Sequence, residues 1–200
     1  MMGITHVFAG TLSAVALTGA RTPEEILAAL IGGSLGGIVC DMDLGKNKKT
    51  SDVKEAAVYA GAITLGCLAV DRLLDQTLIR SIQSGWPGEC GLGLAGLILL
   101  WIWGWRQPHR GGTHSLLAMA LFGACVDLIC GMVSGPFLIG MASHLVLDFL
   151  NRKPLQLLYP LNGKWCLNLC KADGHADRLL QMAGMIGTAV CIGARLSGLM

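Results

Sequence analysis

Charged residues are scarce in this sequence. They make up 14% of its 200 residues, whereas soluble proteins carry about 25%. With 53% hydrophobic residues and a mean hydropathy of +0.59, this scarcity excludes an ordinary soluble domain. Proline is also scarce, with 6 residues beside 28 glycines, which argues against a collagen-like or disordered chain. The net charge of +2 is too small to suggest a nucleic-acid partner.

Other familiar patterns are missing as well. The sequence has no His-Glu-x-x-His motif, which disfavours an intramembrane metalloprotease. No basic region precedes the first apolar run, so this run is expected to be a retained membrane helix rather than a signal peptide. The 8 cysteines are scattered mainly through apolar segments, and we interpret most of them as buried and reduced.

What the sequence does contain is a series of apolar segments close to the roughly 20 residues that span a bilayer. Six are predicted, at residues 4–20, 23–40, 53–70, 91–105, 115–133 and 137–150, and residues 179–200 are a candidate seventh. Ser134-Gly135-Pro136 is expected to form a tight turn before the sixth helix. The prediction is an all-α, polytopic membrane helix bundle with a single domain over residues 1–200. GxxxG spacings in the second helix predict close helix packing, which also suits a homo-oligomer.

Helix alternation predicts that one end of this bundle is polar. The start of the first helix, the end of the second, the loop before the fifth and the end of the sixth all fall on the same side. Four of the five histidines and three aspartates then converge there. They are His6, Asp41, Asp43, His109, His114, His144 and Asp148. We call this side the polar end.

The polar end also receives most of the basic residues, 11 of the 15 lysines and arginines. They are Lys46, Lys48, Lys49, Lys54, Arg106, Arg110, Arg152, Lys153, Lys164, Lys171 and Arg178. By the positive-inside rule, the polar end faces the cytoplasm. The prediction is therefore a multi-pass protein of the bacterial inner membrane.

Two pairs at this end have the chemistry of metal ligands. His144 and Asp148 are four residues apart, so they share a helix face and can bind one ion. Ionisable groups within a membrane segment are usually functional, although a His-Asp pair that only locks two helices together is the alternative. The carboxylates of Asp41 and Asp43 suit divalent cations, although a solvated acidic helix end would also explain them.

The sharpest motif is His-Arg-Gly-Gly-Thr-His-Ser at residues 109–115. Its two histidines, separated by a glycine pair, can fold back on one centre, and Arg110 offers a planar fork for phosphate or carboxylate. Thr113 or Ser115 is suited to cap the following helix. A capping loop alone, however, does not explain two histidines and an arginine.

Together these motifs resemble the YdjM family, bacterial inner-membrane, metal-dependent hydrolases of which some members are described as LexA-binding. The resemblance covers about residues 3–160 and includes Thr5-His6 with Gly10, Gly37 with Asp41-Met42-Asp43, residues 109–115, and residues 143–148 with Asn151 and Pro160. It implies that the metal and catalytic set is His6, Asp41, His109, His114, His144 and Asp148. Lys153-Pro154 departs from the family pattern, in which a glycine follows Asn151.

The location and donor chemistry predict a hydrolase of an anionic lipid, or of a lipid-linked ester or phosphoester, at the cytoplasmic face. One or two divalent ions, zinc or manganese, are expected to activate water and polarise the ester. Asp43, Arg110 and His114 are the predicted catalytic residues, and Asp43 or Asp148 is the general base. Arg110, Arg152 and Lys153 are predicted to bind the charged head group.

Two other functions fit the same residues, a metal transporter and a metal-binding membrane regulator without hydrolase activity. Transporter ligands lie near the bilayer midplane on a path to both faces, whereas these residues lie at one end. Asp71 and Asp127 are the candidates for a path onwards, and we expect both to be paired structurally.

Overall fold

The computed structural model describes residues 2–46, 50–74, 76–84, 87–171 and 174–197, and Lys48 and Lys49 of the predicted basic loop lie outside them. The described residues form eight α-helices. They are α1 (Gly3–Leu17), α2 (Pro23–Val39), α3 (Thr50–Leu73), α4 (Thr77–Ser84), α5 (Pro87–Trp105), α6 (Leu116–Ile129), α7 (Gly131–Leu150) and α8 (His175–Leu196). Short 3-10 helices follow α2 (Cys40–Lys46) and precede α6 (Gly112–His114). The predicted all-α bundle is confirmed.

Five spans are long and apolar enough to cross a membrane, and α1 and α6 are shorter apolar helices. The five spans are Pro23–Leu44, Asp52–Leu73, Pro87–Trp105, Gly131–Leu150 and His175–Leu196. The candidate seventh segment therefore belongs to a helix of the required length, α8, which begins at His175; residues 198–200 lie outside the described part.

Glycine allows α1, α2 and α7 to pack backbone against backbone at the centre of the bundle. A Cβ atom added to Gly10 or to Gly140 would lie 2.5 Å from the carbonyl oxygen of Gly33, and one added to Gly37 would lie 2.5 Å from that of His6. Cβ atoms essentially never approach closer than 3.0 Å, so only glycine permits these crossings. The glycines that suggested a homo-oligomer thus pack within the chain, and the homo-oligomer stays a prediction.

The start of α2 shows how local sequence sets a helix boundary. Pro23 occupies the first turn, and the Thr22 side chain accepts a hydrogen bond from the Glu25 backbone N–H. The Glu25 carboxylate accepts one in return from the backbone N–H of Thr22 at 3.2 Å. This reciprocal capping box satisfies N–H groups that the first turn leaves unpaired.

The predicted turn at residues 134–136 is wrong. The break between α6 and α7 lies at Cys130, whose backbone is extended. Helix α7 then continues through Pro136. Pro136 is the sixth residue of α7, where it removes one hydrogen bond of the helix without ending it. The Ser134 hydroxyl donates instead to the Asp127 carboxylate at 2.7 Å, which ties α7 to the end of α6.

The short helix α4 was not predicted, and it closes the end of the bundle opposite the polar end. Asp71, in the last turn of α3, accepts hydrogen bonds from the backbone N–H groups of Leu78 and Ile79 at 3.0 and 3.1 Å. Leu78 and Ile82 of α4 pack into the core against α2 and α7. Asp71 therefore caps a helix, and both Asp71 and Asp127 have structural partners.

Candidate metal centre

Four parts of the chain bring eight of the ten predicted site residues together at the polar end. His6 comes from α1, Asp41 and Asp43 from the turn after α2, His109, Arg110 and His114 from the loop before α6, and His144 and Asp148 from α7. Their side chains are almost completely buried, none more than 8% exposed, except that of His109, which is 25% exposed. We call these eight residues the His/Asp cluster.

The imidazoles of His114 and His144 face each other at the centre of the cluster, with their Nε2 atoms 3.3 Å apart. His144 Nδ1 lies 2.7 Å from the carbonyl oxygen of Gly37. Because a carbonyl can only accept, this nitrogen carries the proton, and Nε2 presents a lone pair when the ring is neutral. Metal-ligating histidines are commonly fixed in this way.

The Nδ1 atom of His114 also carries the proton of its ring. The Thr113 hydroxyl donates its proton to Asp43 Oδ2 at 2.8 Å, so its oxygen can accept from His114 Nδ1, which lies 3.0 Å away. The Nε2 atom of the neutral ring then carries a lone pair as well. Two lone-pair nitrogens at 3.3 Å repel each other unless a cation lies between them.

Carboxylate oxygens complete a shell around these two nitrogens. His114 Nε2 is 3.7 Å from Asp41 Oδ1 and 3.6 Å from Asp148 Oδ2, and His144 Nε2 is 3.9 Å from each of these oxygens. Ligands on one tetrahedral ion with bonds of about 2.1 Å lie about 3.4 Å apart. The two nitrogens together with either carboxylate oxygen therefore have close to the spacing that one divalent ion requires.

The charges of the cluster also favour a divalent cation. Asp41, Asp43 and Asp148 are buried with Arg110 as the buried cation beside them, so two negative charges are in excess when the imidazoles are neutral. Uncompensated buried charge is costly. A single divalent ion balances this excess.

In the absence of metal, a proton can fill the same place. Burial alone would lower the pKa of His114, but hydrogen bonds with Asp41 and Asp43 outweigh it and raise the pKa to about 9. A proton on its Nε2 atom points at the Nε2 atom of His144. The site thus attracts positive charge, which is the electrostatic property of a cation site.

His6 flanks this centre. Its ring stacks on that of His144, with centroids 3.8 Å apart, and its Nε2 atom lies 3.4 Å from Asp148 Oδ1. Its buried Nδ1 atom has no hydrogen-bond partner in the described part of the chain. Ligand atoms of His6, His144 and Asp148 lie within 4.8 Å of one another, as do those of Asp41, His114 and His144.

Asp43 organises the loop that carries His109 and His114. Its Oδ2 atom accepts from the Arg110 backbone N–H at 3.1 Å and from the Thr113 hydroxyl. Its Oδ1 atom accepts from His109 Nδ1 at 2.9 Å. The Ser115 hydroxyl, not that of Thr113, caps α6. Asp43, His109 and His114 form a third group with metal-ligand spacing.

Arg110 connects the cluster to the chain that follows α7. Its Nη2 atom donates to Asp148 Oδ1 at 2.6 Å, and its Nη1 atom donates to the carbonyl oxygen of Lys153. Its φ of 61° is in the left-handed region, which is unusual for a residue other than glycine. Both terminal nitrogens thus have protein partners, and its predicted contact with substrate stays a prediction. The side chains of Arg152 and Lys153 are exposed.

The groups that orient the ligands were not predicted from the sequence. The Gly37 carbonyl and the Thr113 hydroxyl set the histidine tautomers, yet only the positions of Gly37 before Asp41 and of Thr113 beside His114 hinted at this. A backbone carbonyl leaves no signal in side-chain chemistry.

Comparison with known protein families confirms the resemblance. The sequence matches the YdjM inner membrane protein family over residues 1–197. The chain belongs to this family. The match covers nearly the whole chain, so that it includes α8 as well as the cluster. No curated protein and no solved structure matches the chain.

Proposed function

We propose that the protein is a membrane-embedded, metal-dependent hydrolase that acts on an anionic lipid or a lipid-linked ester or phosphoester. The observation that supports it best is the pair of Nε2 atoms 3.3 Å apart, flanked by two buried carboxylates. Membership of an inner-membrane family supports a substrate from the bilayer.

Asp41, His114, His144 and Asp148 are the proposed ligands of the first ion, with His6 beside them. Mixed nitrogen and oxygen donors suit zinc or manganese better than calcium. Asp43, His109 and His114 also have metal-ligand spacing, but a second ion there would have to displace the Nδ1 proton of His114 and the hydrogen bonds that Asp43 accepts. A divalent ion bound here lowers the pKa of water and polarises the oxygen of an ester or phosphoester.

The side chains around the ion have different proposed roles. Asp43 has both oxygens engaged, so it orients His109 and His114. His109, the most exposed member of the cluster, is the group best placed to exchange a proton with substrate, because Asp43 holds its Nδ1 atom. The exposed cations Arg152 and Lys153 face an arriving anionic head group.

A metal-binding regulator is the second candidate function. The near-complete burial of Asp41, His114, His144 and Asp148 is typical of a structural metal site, which keeps no open coordination position. A transporter is less well supported, because Asp71 and Asp127, the candidates for a path away from the cluster, have structural partners.

The decisive experiment incubates metal-loaded protein with a panel of bacterial lipids and follows the products by mass spectrometry. His114→Ala should abolish both metal binding and product. His109→Gln should keep the first metal ion and lose most product, because only proton exchange is removed. Product that persists in His114→Ala, or no product from any lipid with metal bound, would favour the regulator.

The proposed orientation places the polar end in the cytoplasm, because basic residues collect there. A reporter inserted between Lys46 and Thr50 tests this. A cytoplasmic reporter should be active at this site, and activity only of a periplasmic reporter would reverse the orientation.

A further inference from the structure

The chain between α7 and α8 has an unusual surface. Residues 152–171 contain Arg152, Lys153, Lys164 and Lys171 but no aspartate or glutamate, and all four cations are exposed. Large apolar side chains are exposed beside them. These are Leu158, Leu161, Trp165, Leu167 and Leu169, with exposures from 43% to 70%. We call residues 152–171 the basic segment.

The exposed side chains are held in place by the rest of the fold. Leu155 and Trp165 exchange backbone hydrogen bonds of 3.0 Å in both directions, and the Leu155 side chain is fully buried. The backbone N–H groups of Leu167 and Leu169 donate to the last carbonyls of α7 at 2.7 and 2.9 Å. The apolar surface is thus presented in a defined conformation.

The segment lies where the membrane-crossing helices end. It begins directly after α7, and the Tyr159 ring packs edge-on against Trp103, near the end of α5, with centroids 5.9 Å apart. Removing a large apolar side chain from water is favourable. Five such side chains at this level therefore favour contact with lipid over water.

The charges identify the lipid. Exposed cations interleaved with apolar and tryptophan side chains are typical of segments that lie in the interface of an anionic membrane. The absence of acidic residues from the segment removes any repulsion of anionic head groups within it.

We propose that the basic segment lies in the headgroup layer of the leaflet at the polar end and binds anionic phospholipid. Its apolar side chains lie among the upper acyl chains, and its four cations contact the phosphates. The Gln156 backbone N–H donates to the Arg110 carbonyl at 3.0 Å, so the segment also joins this lipid surface to the His/Asp cluster. The proposal does not depend on hydrolysis.

A variant with Trp165 as its sole tryptophan tests the proposal, with Trp86, Trp101, Trp103 and Trp105 replaced by phenylalanine. It is reconstituted without added metal into vesicles of phosphatidylcholine, or of equal parts phosphatidylcholine and phosphatidylglycerol, with brominated acyl chains. Bromine should quench Trp165 in both, more strongly with phosphatidylglycerol, while iodide in the water quenches it weakly.

A second measurement uses the native tryptophans. Spin-labelled phosphatidylglycerol should associate with the wild-type protein in preference to spin-labelled phosphatidylcholine. Lys164→Gln with Lys171→Gln should reduce this preference, by about fivefold for each cation removed. Arg72→Gln with Arg80→Gln, exposed cations outside the basic segment, is the matched control; introduced into the sole-tryptophan variant, it should leave Trp165 quenching unchanged.

Strong iodide quenching of Trp165 without bromine quenching would overturn the proposal. A soluble protein or a second copy of the chain would then be the better candidate to cover the apolar side chains of the basic segment. Equal association of both spin-labelled lipids with wild type and the lysine variant would overturn the recognition of anionic head groups. Each result is independent of whether the protein hydrolyses lipid.

Discussion

Helices α2 and α8 have similar hydropathy but opposite surroundings. The spans built on them have the same mean hydropathy of 1.5, yet 72% of the first is buried inside the protein and only 6% of the second. The inner helices α1 and α7 carry His6, His144 and Asp148 of the cluster, and the turn directly after the inner helix α2 adds Asp41, whereas α5 and α8 contain none of its residues. Hydropathy therefore identifies the spans but does not distinguish the inner helices from the lipid-facing ones.

Glycine packing explains the difference. Gly33 of α2 lies against the backbones of both α1 and α7, at Gly10 and Gly140. The close glycine contact of α8 is with α1, where a Cβ atom added to Gly184 would lie 2.8 Å from the Phe8 backbone, and farther along α8 one added to Gly193 meets nothing within 4 Å. Close backbone contact brings the polar ends of the inner helices together. It also places the Gly37 carbonyl within hydrogen-bond distance of His144.

Breaking the inner packing should have the largest effect. Gly33→Ala places a Cβ atom 2.7 Å from the Gly10 carbonyl oxygen, and because backbone cannot move aside easily, we expect a loss of about 3 kcal/mol in the free energy of unfolding. Thermal unfolding in detergent measures it. Gly61→Ala, where the new Cβ meets nothing within 4 Å, is the control. Equal melting temperatures for wild type and Gly33→Ala would contradict the packing.

Removing the group that organises the cluster's loop should have the next largest effect. Asp43→Asn loses one anionic acceptor for His109 and Thr113, so metal affinity should fall about 10- to 100-fold while the helices stay folded. Titration with zinc measures the affinity. Asp127→Asn, outside the cluster, should retain wild-type affinity, and an unchanged affinity in Asp43→Asn would contradict the role of Asp43.

Arg110→Lys should lower metal affinity less than Asp43→Asn does. Lysine keeps the positive charge but cannot reach Asp148 and the Lys153 carbonyl with two nitrogens at once, so metal affinity should fall about tenfold and hydrolysis should fall further. Arg178→Lys, an exposed change, is the control. Wild-type affinity and turnover in Arg110→Lys would show that charge alone is required.

The smallest effect is expected from Asp71→Ala, at the end opposite the cluster. The loss of the cap on α4 should lower the free energy of unfolding by about 1 kcal/mol and leave metal content unchanged. Chemical denaturation and metal analysis of the same sample measure both. A loss of metal from Asp71→Ala would show that the two ends of the bundle are coupled, and it would contradict the independence of the cluster from this end.

Much of this molecule could be predicted from sequence. Apolar run length identified the helices of the bundle other than α4, and alternation alone grouped His6, Asp41, His109, His114, His144 and Asp148, because each helix must reverse the direction of the chain. The break at Cys130 was not predicted, because Ser134-Gly135-Pro136 is a strong turn signal in the sequence although α7 continues through it.

The hydrogen-bond and ion-pair partners of the site residues could not be predicted from the sequence. Arg110 and Asp43 have the chemistry to bind substrate or to act as a base, and only tertiary geometry shows that Arg110 holds Asp148 and that Asp43 holds the loop of His109. Whether a charged group faces substrate or a neighbouring side chain depends on distances of a few ångströms, which no spacing in the chain encodes.

The most direct test of the central claim is the metal content of purified protein, measured by mass spectrometry after loading with zinc or manganese and removal of unbound ions. Wild type should retain about one or two ions per chain, and His175→Ala, which removes an exposed histidine of α8, should retain the same amount. The double variant His144→Ala with Asp148→Ala should retain at least one ion fewer. Equal metal in the double variant and wild type, or no metal in wild type, would contradict the account.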